Sequence, residues 1–151
     1  MKPLNLIIPL LLVSTSACMS ATVEETSAEM QATIAKARDC AGCDLSKIDL
    51  NGADLSGANL KEAILDGADL SNANLAEADL SGASLDGANL NGTNFNSANL
   101  KGADLSNASL ISTNLVNANL RKAKIKTANV YLTNFCGATM PNGSRSMQGC
   151  S

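Results

Sequence analysis

The sequence contains no histidine and no tryptophan, and its only aromatic residues are one tyrosine and two phenylalanines. Without histidine, the chain lacks the commonest general base and the commonest metal ligand of proteins. A globular core in a chain of 151 residues normally uses aromatic side chains of varied shape, whereas alanine and leucine dominate the apolar residues here. That bias indicates a repeat array. The formal net charge of −3 is too small to indicate a nucleic-acid partner or a protein that imitates nucleic acid.

Two periods run through most of the chain. A large apolar residue recurs at every fifth position from Leu45 to Met140. A second period of twenty appears where Thr93, Thr113 and Thr133 replace the usual alanine. Five residues per side and four sides per turn predict a square coil. In that coil the large residue and the small residue two positions before it point inward, and the threonine hydroxyls bond to adjacent backbone.

The repeating units resemble those of the pentapeptide-repeat proteins. ADLSG at residues 53–57 and ANLKE at residues 58–62 follow the pattern A-(D/N)-L-x-x, and twenty units of five run from Cys43 to about Pro141. The resemblance implies an all-β solenoid, a right-handed four-sided β-helix of about five coils. The segments around Cys40 and Cys136 resemble the ends of the array in secreted bacterial members. Members that bind DNA gyrase are cytosolic, so an export signal argues against that role here.

The amino terminus has the features of an export signal, and we predict a signal peptide at residues 1–17. Lys2 supplies the positive charge, and an apolar stretch and a run of small residues follow it. The apolar stretch of about ten residues is too short to span a bilayer. The residues before Cys18 resemble a lipoprotein signal, which implies a lipid on Cys18, although Thr15 stands where leucine is usual. The alternative is ordinary cleavage near Ala17 or Ala21. The predicted location is periplasmic or the cell envelope, with an outer-membrane anchor if Cys18 is lipidated.

The remaining sequence divides into three parts. Residues 18–42 are predicted to form a lipid-anchor tether and then a capping α-helix from about residue 23 to residue 38. A capping box at residues 22–25 marks the helix start. The β-helix occupies residues 43–140, and residues 141–151 form a carboxyl-terminal capping tail. The helix is expected to cover the open first coil.

Four cysteines remain if Cys18 carries lipid, and an oxidising compartment favours their pairing. At about 4.8 Å per coil, Cys43 and Cys136 lie about 20 Å apart. That distance excludes a shared zinc site and two of the three possible pairings. We therefore predict Cys40–Cys43 and Cys136–Cys150 disulfides, the second holding the tail over the last coil, with free thiols as the alternative. The sequence predicts no metal and no cofactor.

Four basic residues are predicted to cluster at one corner near the carboxyl end: Arg121, Lys122, Lys124 and Lys126. Residues 44–90 instead carry mostly acidic charges. The basic corner is either an ordinary solvated surface or an electrostatic dock for an anionic lipid, a polysaccharide or a protein partner. Without aromatic residues beside it, no nucleic-acid partner is expected.

An apolar patch is also predicted near the carboxyl end. Ile111, Tyr131 and Leu132 project outward on one side, with Val116 beside them. Either the tail at residues 141–151 folds over them, or they contact another chain. A column of outer asparagines in the same part of the array is expected to be ordinary solvated surface.

These features favour a protein that is not an enzyme. The pattern contains no nucleophile beside a base and leaves no cavity in a leucine-filled interior. The predicted function is a non-enzymatic structural or interaction scaffold at the bacterial cell envelope, with a protein partner or self-association and no small-molecule substrate. The alternative is a specific binding module that uses the basic corner or the apolar patch.

Overall fold

The structure is a computed structural model that describes residues 39–151. The predicted signal peptide, Cys18 and the predicted capping helix lie outside the described residues. Between residues 39 and 151 there is no helix and no continuous strand, and the repeated element is a single β-bridge in each five-residue unit. The first bridge pairs Asp39 with Asn59. Regular pairing therefore starts four residues before the predicted boundary at Cys43.

The bridges define the coil. In the described part of the chain, every parallel bridge joins residues twenty positions apart, as Asp54 and Asn74 do. On one side, Leu50 N–H donates to the Asp69 carbonyl at 2.7 Å, and Gly52 N–H donates to the Ser71 carbonyl at 2.9 Å. Each coil thus bonds to the coils above and below it, and stability depends on stacking. The twenty-residue spacing confirms four sides of five residues. The number of coils and the capping helix stay predictions.

A tight turn forms each corner. The Leu50 carbonyl accepts a bond from Ala53 N–H at 3.0 Å, and Gly52 between them has φ of 68°. A positive φ at the third residue identifies a type II turn, for which glycine is favoured. Leu132 occupies the same position with φ of 57°, but Thr127 does not adopt a positive φ. A β-branched residue is strongly disfavoured there, so the corner at Thr127 takes a different shape.

The interior matches the inward assignment made from the sequence. The central leucines between residues 45 and 120 are 0–6% exposed, and Phe95 is fully buried among them. Thr93 Oγ1 donates to the Leu70 carbonyl at 2.7 Å, and the other two threonines of its column make the equivalent bond. These bonds satisfy the buried hydroxyls, as predicted. Near the carboxyl end the pattern weakens, and Val130 is 36% exposed.

The tail crosses half of the last coil. Thr139 and Arg145 form an antiparallel bridge, and Phe135 N–H donates to the Gln148 carbonyl at 3.2 Å. The sulfur atoms of Cys136 and Cys150 lie at disulfide distance, with their Cα atoms 4.9 Å apart. The tail therefore covers the side of the last coil that contains Phe135.

The second cysteine pair lies at the opposite end of the described array. The sulfur atoms of Cys40 and Cys43 are also at disulfide distance, with Cα atoms 5.3 Å apart. Both pairs are those expected from the sequence. No helix within residues 39–151 is long and apolar enough to cross a membrane.

Candidate functional site

The four predicted basic residues do not form one corner. Arg121 and Lys122 lie in one turn, and Lys126 lies in the next turn. Lys124 lies on the side between the two turns, where its Nζ is 2.7 Å from Asp104 Oδ2. The prediction of a single cluster was wrong because each five-residue unit contributes its own corner. Residues four or five apart in sequence therefore fall on successive corners.

The structure assembles a different basic surface from residues twenty positions apart. Turns at residues 61–62, 81–82, 101–102 and 121–122 stack to form one corner. A groove of about 380 Å³ lies along it, and we call it the basic groove. Its lining residues are Lys61, Glu62, Ser81, Gly82, Asn99, Lys101, Gly102 and Lys122. Only Lys122 belonged to the predicted cluster. The twenty-residue period, applied to the lysines, would have identified the others.

Two stacked glycines make the groove possible. Gly82 and Gly102 have φ of 70° and 71° at adjacent levels of the corner. A Cβ atom added at Gly102 would meet nothing within 4 Å, and one added at Gly82 would lie 3.3 Å from Glu62 Cγ. Neither glycine projects a side chain, so a gap remains between Lys61 at one end and Lys122 at the other.

The groove carries an excess of positive charge. Three lysines line it against one acid, Glu62. Lys61 Nζ lies 3.8 Å from Glu62 Oε1, but both side chains are more than half exposed, so this pair is weak. Burial opposes ionisation of the nearby Asp79, yet hydrogen bonds from Ser81 and Asn99 and the charge of Lys61 lower its pKa. The Asp79 carboxylate is therefore ionised, and it already accepts hydrogen bonds from Ser81 and Asn99.

The other outer acids also have structural roles. Asp104 accepts bonds from Lys124 and from the N–H and hydroxyl of Ser106, which lower its pKa to about 2. Hydrogen bonds from the Ser71 hydroxyl and N–H lower the pKa of Asp69. These carboxylates fix the turns that follow them. In residues 39–151 no group of three or more potential ligands could hold a metal ion.

The outer asparagines form bonded ladders along the axis. Asn114 Nδ2 donates to Asn94 Oδ1 at 3.0 Å, and Asn94 Nδ2 donates to Asn74 Oδ1 at 3.0 Å. Asn114 Oδ1 also accepts from Val116 N–H at 3.1 Å. These half-buried amides differ from the ordinary solvated surface expected, because they bond to neighbouring coils and turns.

Part of the last coil has no next coil and no tail above it. In a regular unit the N–H groups of the central residue and of the residue two positions later donate to the next coil. Within residues 125–132, four such groups make no backbone hydrogen bond: those of Ile125, Thr127, Val130 and Leu132. We call residues 125–132 the open edge.

The predicted apolar patch divides at this edge. Tyr131 is 66% exposed and Leu132 is 69% exposed, so the tail does not fold over them. Met147 of the tail is 74% exposed. Ile111 and Val116 are half-buried in the preceding coil. The exposed part of the patch is therefore the open edge itself, with Ile111 and Val116 behind it.

The family model of pentapeptide repeats matches eight copies, at residues 39–75, 73–110 and 103–141. A comparison with curated proteins finds no match. Among solved structures, the pentapeptide repeat protein Rfr23 from the cyanobacterium Cyanothece 51142 is 27% identical. That match covers 72% of this chain and 94% of Rfr23, with a TM-score of 0.59.

Two further structural matches cover less of the other protein. HetL from Nostoc sp. strain PCC 7120, a pentapeptide repeat protein involved in heterocyst differentiation regulation, is 33% identical; the match covers 72% of this chain and 60% of HetL, with a TM-score of 0.34. QnrB1, a plasmid-mediated fluoroquinolone resistance protein, is 26% identical. That match covers 70% of this chain and 62% of QnrB1, with a TM-score of 0.45.

Proposed function

The chain belongs to the pentapeptide-repeat family, and on that premise we propose that it is an exported, non-enzymatic interaction protein of the bacterial cell envelope. Its neighbours imply a right-handed four-sided β-helix, and proteins of this family are generally structural and not catalytic. The absence of histidine and the buried leucines of the interior support the same reading. In this proposal the open edge receives an extended segment of a protein partner.

The open edge is the observation that carries the proposal. The tail already pairs with half of the last coil: Gly137 N–H donates to the Ser146 carbonyl at 2.9 Å, beside the antiparallel bridge of Thr139 and Arg145. The other half offers the same type of edge, with N–H donors at regular spacing. An added strand would supply carbonyl acceptors to those donors, as in other cases of β-strand addition.

Exposed side chains at the same edge would add contact area. Tyr131 and Leu132 project beside the free N–H groups. Tyrosine is often a main contributor to binding energy in protein interfaces, because it combines a large apolar ring with a hydroxyl. A partner segment that pairs with the backbone would therefore also bury an aromatic ring.

Export is supported by two independent parts of the chain. The first seventeen residues have the charge and hydropathy pattern of a signal peptide. Cys40, Cys43, Cys136 and Cys150 form two pairs at disulfide distance. Disulfides persist in oxidising compartments such as the bacterial periplasm. A lipid on Cys18 would then hold the protein at the envelope and leave the open edge accessible.

Site-specific photo-crosslinking tests the proposed contact. A photoreactive phenylalanine analogue replaces Tyr131 in one strain and Ile64 in another, since Ile64 is 41% exposed but far from the open edge. We expect a discrete adduct with one envelope protein from position 131 alone. Replacing Leu132 with Asn, which tolerates a positive φ, should weaken that adduct. Equal adducts from both positions, or an adduct between two copies of this chain, would overturn the proposed partner.

A further inference from the structure

We propose that the basic groove binds a linear acidic polysaccharide, with the sugar chain lying along the β-helix axis. The inference does not depend on the open edge, because the groove lies on a corner of the coil and the edge lies at its end. It rests on three observations: the spacing of the lysines, the polarity of the lining and the contrast with the neighbouring corner.

The lysines form an axial row. Lys61 and Lys101 occupy the same position of the corner two coils apart, and Lys122 lies one coil further. At about 4.8 Å per coil, the row spans about 15 Å. An elongated ligand with repeated anionic groups can contact the whole row at once, whereas a single small anion can contact only part of it. Lysine suits this task because its ammonium group is a mobile point charge with three donors.

The lining selects among polyanions. It consists of lysine, glutamate, serine, glycine and asparagine, with no aromatic and no large apolar residue. Single-stranded nucleic acids normally bind to aromatic stacking platforms, and membrane surfaces to apolar side chains that enter the lipid. Protein interfaces concentrate their energy in aromatic residues and arginine. A hydrophilic chain that carries carboxylates and hydroxyls fits this lining better than any of these three.

The neighbouring corner shows that the positive row is particular to this groove. Along that corner lie Lys47, Asp66, Asp86 and Lys126, so two acids separate its two lysines along the axis. Ser84 Oγ donates to Asp66 Oδ1 there. Both corners contain stacked glycines, but only the basic groove combines them with cations along its length. The two corners thus provide matched controls within one molecule.

The first experiment removes charge. Lys101→Gln with Lys122→Asn changes the groove, and Lys126→Gln with Lys47→Asn makes the same charge change at matched positions; Lys47 and Lys122 both have positive φ. Calorimetry of the full chain at low salt uses a galacturonate hexamer, with a neutral maltohexaose as control. We expect binding to weaken about tenfold in the groove variant and by less than about twofold in the control variant. Equal losses, or binding of the neutral sugar, would overturn the proposal.

The second experiment blocks the groove without changing its charge. Gly102→Asn places a side chain in the groove, and Gly87→Asn is the matched control, because φ is positive and there is open space at both positions. We expect Gly102→Asn to abolish the galacturonate-induced shifts of the Lys101 and Lys122 amide signals, and Gly87→Asn to preserve them. Unchanged shifts in Gly102→Asn would contradict the site. Tighter binding of polyphosphate, single-stranded DNA or anionic vesicles than of galacturonate would overturn the choice of ligand.

Discussion

Lys124 Nζ lies 2.7 Å from Asp104 Oδ2, and the two residues are twenty positions apart on adjacent coils. Because the Lys124 ammonium group is paired with Asp104, it is less available to bind an external anion at the carboxyl end. Asp104 also accepts a bond from Ser106 N–H at 3.0 Å, so one carboxylate links two coils and fixes a turn. Lys124, which the sequence analysis assigned to a possible docking surface, therefore links two adjacent coils of the β-helix.

The Asp104 contacts predict a loss of stability in acid. Bonds from Lys124 and Ser106 lower the Asp104 pKa from 3.8 to about 2 in the folded protein. A depressed folded pKa contributes stability above the unfolded pKa, and this contribution disappears as the pH falls from about 4 to about 2. The lowered pKa of Asp69 acts in the same direction. Urea unfolding from pH 7 to pH 2 should show this decline.

Asp104→Asn provides the control for that experiment. The variant cannot titrate at position 104, so its stability should fall less between pH 4 and pH 2 than that of the unchanged protein. Its stability at pH 7 should be lower, because Lys124 loses an anionic partner. Parallel pH profiles for the two proteins would show that Asp104 does not contribute.

A charge placed in the core is predicted to unfold the array. Leu85 has no exposed surface, and its side chain lies among other central leucines. In Leu85→Asp the carboxylate would be buried without a partner, at a cost of at least about 3 kcal/mol. Asn91→Asp introduces the same charge at a half-buried outer position and should have little effect, because Asn91 Oδ1 accepts bonds from the Ser109 hydroxyl and Ile111 N–H, which a carboxylate can also accept. Thermal melting by circular dichroism distinguishes the two, and equal melting temperatures would contradict the inward assignment of leucine.

The sequence predicted the repeat well because its burial pattern is strictly periodic. Leu85 and its equivalents had to share one interior, and the replacement of alanine by Thr93 and its equivalents revealed four units per coil. The spacing of Cys136 and Cys150 likewise indicated how the tail is held. Each of these features depends on a position within a unit or on a spacing along the chain, which sequence alone can supply.

The features that were missed depend on neighbours in other coils. The basic groove combines Lys61, Lys101 and Lys122 with a gap left by glycines between them, and no local segment contains all of these residues. The Lys124–Asp104 contact is hidden for the same reason. The exposure of Val130 follows from the tail, which covers one half of the last coil only. The path of the tail could not be predicted from its short sequence, which lacks the repeat pattern.

The tail is predicted to depend on its disulfide. Cys136 and Cys150 close a loop with a separation of 14 residues, whereas Cys40 and Cys43 are separated by 3. Replacing Cys136 and Cys150 with alanine should lower the free energy of unfolding by about 3 kcal/mol, and replacing Cys40 and Cys43 should lower it by about 2 kcal/mol. The difference arises because the longer loop restricts the unfolded chain more. Chemical denaturation measures both. Loss of the first disulfide should also increase hydrogen exchange at Gly137 N–H, which bonds to the tail.

The proposed lipid anchor predicts the mass of the mature amino terminus. If Cys18 is modified, the mature chain begins at Cys18 and carries acyl chains, since lipoprotein processing removes the residues before the modified cysteine. Two or more acyl chains provide stable membrane attachment, whereas a single chain gives only marginal binding. Mass spectrometry of protein from the envelope should therefore show a lipidated Cys18, and Cys18→Ala should appear in the soluble periplasmic fraction. An unmodified terminus at Cys18 or Thr22 would instead support ordinary cleavage after Ala17 or Ala21, and the protein would then reach its partner by diffusion.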